Sequence, residues 1–278
     1  MLQHRFGVSQ RRACRVVGQH RSTQRLEPPP SPAAEFEQTV RSRLREIAAA
    51  HPRWGWRKAM WLLRTEGVTV NHKRIRRYWR EEGLKRPARR RKRSRVGPRA
   101  GDRLTATAPD MLWALDFQAD VTADGRQLRF CNIVDEHTRE ALATRAARSF
   151  GADQTVALLE EIITVTGRVP SHLRMDNGPE LTADAMRDWC RFTNVATAFI
   201  EPGAPWQNGH CESFNGRFRD ELLSCEQFDT LLEAQLLAED WRIEYNTIRP
   251  HGSLGGLTPT AYYQQQITQP APSQLVDH

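Results

Sequence analysis

A fifteen-residue run, Lys85-Arg86-Pro87-Ala88-Arg89-Arg90-Arg91-Lys92-Arg93-Ser94-Arg95-Val96-Gly97-Pro98-Arg99, does most to limit what this chain can fold into. Like charges at this density repel and stay solvated, and its prolines deny it a helix interior or a central strand. It reads as a linker, or as a strap laid along a polyanion. The run divides the 278 residues into a front and a body. Glu27-Pro28-Pro29-Pro30-Ser31-Pro32 makes a second cut as a stiff polyproline connector. A polar tail follows Tyr263. The expected order is a short helical segment at 1–27, a linker at 28–33, a helical unit at 34–84, a basic linker at 85–108, a large body at 109–263 and a tail at 264–278.

The two sides of the run carry opposite charge. Residues 1–100 hold 27 Lys/Arg against 7 Asp/Glu, and residues 101–278 hold 14 against 26, so the net charge of +8 splits into +20 and −12. A basic front on an acidic body is the pattern of a polyanion-binding arm serving a separate unit. At 39% apolar residues the chain can build a core. No apolar run reaches the roughly 18–20 residues that cross a bilayer, and the start lacks a signal-peptide core, so no membrane partner is expected. The five cysteines are scattered and never spaced Cys-x-x-Cys. That argues against a zinc module or disulfide framework and fits a reducing cytoplasm.

The front reads as helices. Ser9 can cap one over Gln10 to Val17, stopped by Gly18, and another turn can begin at Ser22. Phe36, Val40, Leu44 and Ile47 recur at helical spacing until Pro52. Trp56, Met60 and Leu63 form a second stripe closed by Gly67. Asn71 caps a third helix, which carries Ile75 and Trp79 inward and stops at Gly83. Its other faces carry Lys73, Arg74, Arg76, Arg77 and Arg80. A three-helix unit whose last helix is lined with cations resembles a helix-turn-helix reader of double-stranded DNA. The alternative is a solvated basic helix, and the +20 field weighs towards DNA.

From residue 110 the period changes. Met111–Val121, Leu128–Val134 and Ala141–Arg148 read as strands, with Ala123-Asp124-Gly125 as hairpin turn chemistry. Gln154–Val165 reads as a helix, His172–Met175 as a short strand, Thr182–Phe192 as a helix and Val195–Ile200 as a strand. Two helices follow near 207–222 and 228–246. Three antiparallel strands followed by alternating helices and parallel strands predict a mixed α/β sheet covered on both faces.

Three acids stand in places where chemistry is done. Asp116 lies inside Met111-Leu112-Trp113-Ala114-Leu115-Asp116-Phe117, where burial is costly unless a partner meets it. Asp176 follows the strand His172–Met175 and leads into Asn177-Gly178-Pro179, and strand ends are where α/β sheets place ligands. Glu212 sits in a helical pattern in which Asn208, Glu212, Asn215 and Arg219 share one face. Singly, each acid has a plain reading: an Arg-paired strand residue, an Asx-turn starter, an exposed helix Glu. Together they do not, because the 35 residues after Asp176 are enough to cross over and return Glu212 to the sheet's carboxyl edge.

These residues resemble the insertion-sequence transposases of the OrfB type, in the retroviral-integrase-like DDE superfamily. Asp116, Asp176 and Glu212 match the family's three acids, with a basic residue, Arg219, seven after the Glu. Further matches are Asp176-Asn177-Gly178-Pro179-Glu180, Trp206-Gln207-Asn208-Gly209, and Trp241-Arg242-Ile243-Glu244-Tyr245-Asn246 running on to Arg249-Pro250-His251 and Thr258-Pro259. The likeness spans about residues 34 to 263, with Trp54-Gly55-Trp56-Arg57 in the helical domain. Where the family commonly has Val-Asp-Asp-Phe, this chain has Val134-Asp135-Glu136-His137. Asp135 is read as a brace for the strand pair rather than a further ligand.

The resemblance implies an RNase H-like integrase core preceded by a helix-turn-helix domain, and an enzyme that cleaves and joins DNA 3′ ends. Its cofactor would be two Mg²⁺ ions, with Mn²⁺ as substitute, held by Asp116, Asp176 and Glu212. Its partners would be the element's terminal inverted repeats and target DNA, bound as a homo-oligomer in the bacterial cytoplasm beside the nucleoid. The frame is expected to be readable as a fusion with a small upstream helix-turn-helix frame. DNA contacts are expected from the third helix, from Arg89, Arg90, Arg91, Lys92 and Arg93 in the strap, and from Asn208, Asn215, Arg217 and Arg219. Arg242 and Arg249 stay open between phosphate contact and internal ion pair, and Trp241, Tyr245 and His251 could be only packing. Two rival functions remain: an RNase H-like nuclease that cuts without joining, and a repressor-like DNA-binding protein whose core is a scaffold.

Overall fold

The structure, a computed structural model, describes residues 6–25, 32–85, 104–175, 184–199 and 209–268. Contacts gather the chain into two units, Met1–Pro52 with Arg77–Leu84, and Arg53–Arg76 with Lys85–His278.

In the first unit, α1 (Gln10–Val16) starts where the Ser9 hydroxyl accepts the Arg12 N–H at 3.4 Å, and α2 (Arg21–Arg25) follows. α3 (Pro32–Ala50) buries Val40, Leu44 and Ile47 of the stripe its spacing predicts, while Phe36, near the start of the helix, is exposed. Arg41 on α3 holds Glu81 at 2.5 Å and Glu82 at 2.9 Å, and its guanidinium lies 4.1 Å from the centre of the Tyr78 ring.

α4 (Trp56–Thr65) lies in the second unit, and the division runs through α5 (His72–Glu81). Asn71 caps α5 by accepting the Lys73 N–H at 2.9 Å. Ile75, Tyr78 and Trp79 are buried on it, while Lys73, Arg74, Arg76, Arg77 and Arg80 are all exposed. Side chains of α4 reach residues far along the chain. Lys58 pairs with Glu221 at 2.8 Å, and the indole of Trp61 lies where a Cβ on Gly256 would fall, at 2.4 Å.

The body holds a five-stranded sheet of β1 (Leu112–Val121), β2 (Gln127–Asp135), β3 (Ala141–Ala147), β4 (His172–Met175) and β5 (Ala196–Phe199), ordered β3-β2-β1-β4-β5. β1 pairs antiparallel with β2 and parallel with β4, which pairs parallel with β5. This is the mixed sheet the periodicity predicts. Alternation along the strands sends side chains to two cores. Trp113, Leu115, Cys131 and Ile133 pack with α6 (Ala152–Thr166) and α7 (Asp184–Thr193) through residues such as Leu159, Met186 and Trp189. Leu128, Phe130 and Val134 pack on the other face with α8 (Gly209–Phe218) and α9 (Leu231–Thr247). Rings dominate that second core: Phe218 lies 5.2 Å from Phe130 and 5.0 Å from Trp241, and Phe214 lies 5.1 Å from Tyr245.

After Phe218 the chain takes one wide π turn, Arg219–Leu223, that turns Leu222 and Leu223 into this core. The last helix among the described residues, α10 (Pro259–Thr268), runs past Tyr263, where the sequence suggested a polar tail. Among the described residues no helix is long and apolar enough to cross a membrane.

Candidate active site

The hairpin fixes the first acid. With its turn at Thr122 to Arg126, Val121 faces Gln127 and the register runs back to place Asp116 opposite Asn132. Asp116 is half-buried, and its carboxylate accepts the Phe117 N–H at 2.8 Å and the Asn215 side-chain amide at 2.7 Å. Asn215 in turn accepts from the fully buried Asn132 at 2.8 Å, and Gln118 donates to the Asn215 carbonyl at 3.0 Å. The strand residue that looked costly to bury is met by one side-chain amide on a facing helix and by the next N–H of its own strand.

That helix, α8, also carries Glu212, which is exposed. Asp116 and Glu212 line one open cavity of about 410 Å³, together with Gln118, Asn215, Gly216 and Arg219. Glu212, Asn215 and Arg219 therefore share a face, as their spacing predicts. Arg219 is exposed and donates to the Ala119 carbonyl at 3.3 Å. Asn215 differs from its expected part: it is buried, and its amide is spent on Asp116 and Asn132 rather than turned to a DNA strand. Arg217 leaves this face and lines a different cavity. Asp176, Asn208 and the strap residues Arg89, Arg90, Arg91, Lys92 and Arg93 lie outside the described residues.

Asp135 is a brace. It is fully buried and accepts N–H bonds from Asp110 at 2.7 Å, His137 at 2.7 Å and Thr138 at 3.0 Å. Burial raises its carboxyl above the ordinary range although those donors pull it down. Glu136 pairs with the buried Arg174, and the His137 ring lies 5.7 Å from that of Tyr262, so both departures from the family pattern have structural partners. Arg249 is buried, with two bonds of 2.8 Å to Glu221, and Arg242 pairs with Glu239 at 2.6 Å, so each has an internal ion pair. Trp241, Tyr245 and His251 are buried. Burial pushes the thiols of Cys131 and Cys211 up, with Asp116 adding to it, which removes both as nucleophiles.

Sequence reasoning missed Asn132 and Gln118. The signal was present: a lone amide in Phe130-Cys131-Asn132-Ile133-Val134 needs a partner once buried, and the hairpin turn sets which residue it faces.

Comparison with known proteins agrees with this architecture. Residues 106–205 and 193–259 match the integrase core domain, and residues 35–93 match an HTH-like domain. The chain is 39% identical over 271 residues to the uncharacterized 39.2 kDa protein of insertion element IS476 from Xanthomonas euvesicatoria, covering 98% of this chain and 77% of that protein. It is 35% identical over 261 residues to the uncharacterized 31.7 kDa protein of insertion element IS407 from Burkholderia multivorans, covering 94% and 92%. A chain of the simian T-cell lymphotropic virus intasome, solved in complex with PP2A regulatory subunit B56 gamma, shares the fold. Its TM-score is 0.52 at 14% identity, covering 84% of this chain and 79% of that one.

Proposed function

Since the chain belongs to the insertion-sequence transposases of the OrfB type, within the retroviral-integrase-like superfamily, we propose that it binds its element's terminal repeats, cleaves the DNA 3′ ends and joins them to target DNA. The observation that carries this is the shared cavity of Asp116 and Glu212, with Arg219 on the same wall. An enzyme of the polynucleotidyl transferase type needs acids and a phosphate-binding cation at one opening.

The residues suit a hard cation. Carboxylate oxygens on an open cavity fit Mg²⁺, with Mn²⁺ as substitute. Among the described residues no three His, Cys, Asp or Glu side chains form a ligating group, and Asp176 is the proposed third member beside Asp116 and Glu212. Two Mg²⁺ ions held there would supply the clamp for the attacking and leaving oxygens of an in-line displacement. The chain's own residues do the rest. Asn215 and the Phe117 N–H fix the direction of the Asp116 carboxylate. Arg219 offers a guanidinium to a backbone phosphate beside the acids. No protein nucleophile is required, because water attacks in the cleavage step and the freed DNA 3′-hydroxyl attacks in the joining step.

The five exposed cations of α5 are proposed to enter a groove of the terminal repeat, with Arg89 to Arg93 following phosphates, and the protein to act as a homo-oligomer on DNA. Incubation with element-end DNA and Mg²⁺, followed by mapping of nicks on each strand, tests the proposal. Asp176→Asn is expected to keep end binding and lose cleavage, and Mg²⁺-dependent nicking by that variant would remove Asp176 from the site. A labelled 3′ end that is cut but never appears in a target plasmid would mark a nuclease without joining activity.

A further inference from the structure

Helix α8 works on two sides. Glu212, Asn215 and Gly216 face the cavity beside Asp116, whereas His210, Ser213, Phe214 and Arg217 wall a second and larger cavity of about 520 Å³. Steps of three and four residues relate the members of each set, and the two sets interleave, which puts them on opposite faces of one helix. The second cavity's charge is unbalanced. Arg53, Lys58, Arg139, Arg217 and Arg249 line it against only two carboxylates, Asp220 and Glu221. Glu221 is already engaged by Arg249 through two bonds of 2.8 Å and by Lys58 at 2.8 Å, and Asp220 lies 4.0 Å from Arg53.

The surplus is felt by neighbouring groups. Burial, and then the Arg249 guanidinium, bring the Lys58 ammonium down to about 8 even though Glu221 is bonded to it. Burial, with Arg249 and Lys58, brings the His251 imidazole down to about 3. An anion entering this space would relieve like-charge crowding, and guanidinium groups suit the paired oxygens of a phosphate.

We infer that the cavity behind α8 receives a backbone phosphate of the DNA strand that is processed at Asp116 and Glu212. This rests on the transposase reading above and adds a second contact to it. A helix is about 10–12 Å across, and phosphates along one strand rise about 3.4 Å each. The strand passes around the helix and not through it, so the held phosphate is at least about three nucleotides from the cleaved bond.

Phosphate-ethylation interference on DNA carrying the element's terminal repeats, in EDTA so that nothing is cut, reads this contact. The wild-type protein is expected to be blocked by an ethyl group at one position at least about three nucleotides from the cleavage position. In Arg217→Ala that signal should vanish while the rest of the map stays. Affinity should fall about five- to tenfold, and the slope of log K on log salt should lessen by about 0.9. Arg53→Ala, at a second wall of the cavity, should weaken the same position.

An unchanged map in both folded variants overturns the inference. A second arm measures thermal stabilisation by inorganic phosphate against chloride at equal ionic strength. Phosphate-specific stabilisation lost in Arg217→Ala, beside an unchanged interference map, makes this a free-anion site and equally overturns the DNA contact. A wild-type protein that binds no end DNA at all sinks the transposase reading instead, so the two failures are distinct.

Discussion

Replacing Asn215 with alanine would isolate the link between the two described acids. The amide donates to Asp116 at 2.7 Å and accepts from the buried Asn132 at 2.8 Å. The first bond has a charged acceptor and is worth about 1.5–3 kcal/mol. Losing the second leaves Asn132 with a 3.3 Å contact to Gln118, a cost of about 1–2 kcal/mol for an ill-satisfied buried amide. Asp116 is only half-buried, so water recovers part of the first loss, and a net cost of about 2–3 kcal/mol is expected. In a body of this size that lowers Tm by about 4–12 °C. On the reading that Asp116 holds the metal, single-turnover cleavage, measured well below Tm, should fall about 10- to 100-fold and need more Mg²⁺ for half-maximal rate, because a supporting bond to that carboxylate has been removed. Asn132→Ala and the double variant complete a cycle in which the two losses overlap by about 0.5–3 kcal/mol. An Asn215→Ala protein with wild-type Tm and unaltered Mg²⁺ dependence would refute the idea that this amide holds Asp116.

Acid should loosen the body in two stages. Burial alone would raise Glu221, but Arg249 and Lys58 outweigh it and leave the carboxyl at about 2. Its contribution, on the order of 3 kcal/mol, is complete above the ordinary value of 4.5 and lost as pH falls towards 2. His251 stays neutral to about 3 when folded but takes a proton near 6.5 when unfolded, so stability should already decline below that pH. Urea midpoints between pH 7 and 3 measure both, His251→Gln should flatten the upper stage, and a wild-type curve level down to pH 4.5 rejects the buried neutral imidazole. Phe218→Ala, at a fully buried ring between Phe130 and Trp241, should cost about 3–5 kcal/mol in urea unfolding, and a loss under 1 kcal/mol would contradict the packing. Gly256→Ala would set a Cβ 2.4 Å from the Trp61 indole at a backbone φ of 94°. It should lower Tm by several degrees, with an unchanged Tm as the contrary result.

The sheet was legible because its strands are short apolar runs bounded by turn residues, with Gly125 in the hairpin and Gly167 ending α6 before β4. Asp135 as a brace and Trp241 as packing also follow from residue type. The Asp116–Asn215 bond was not legible, since helical spacing tells which residues share a face but not how the face is rolled against a sheet. Asn215 stands at the edge of that face, where a small roll separates a solvent contact from a buried one. The binding of α4 into the body was hidden for another reason. Lys58 meets Glu221 across 163 positions of chain, and no local pattern announces such a pairing. The wide turn at Arg219–Leu223 broke the register that simple helical counting would have carried past Phe218.

The amide of Asn215 hangs from the same helix as Glu212 and grips Asp116 on the strand. The strand and the helix that carry these two carboxylates are thereby pinned at one point: drawing them apart means tearing a charged bond and unseating Asn132. Accommodation at this opening falls to the exposed Glu212 side chain rather than to a parting of strand and helix.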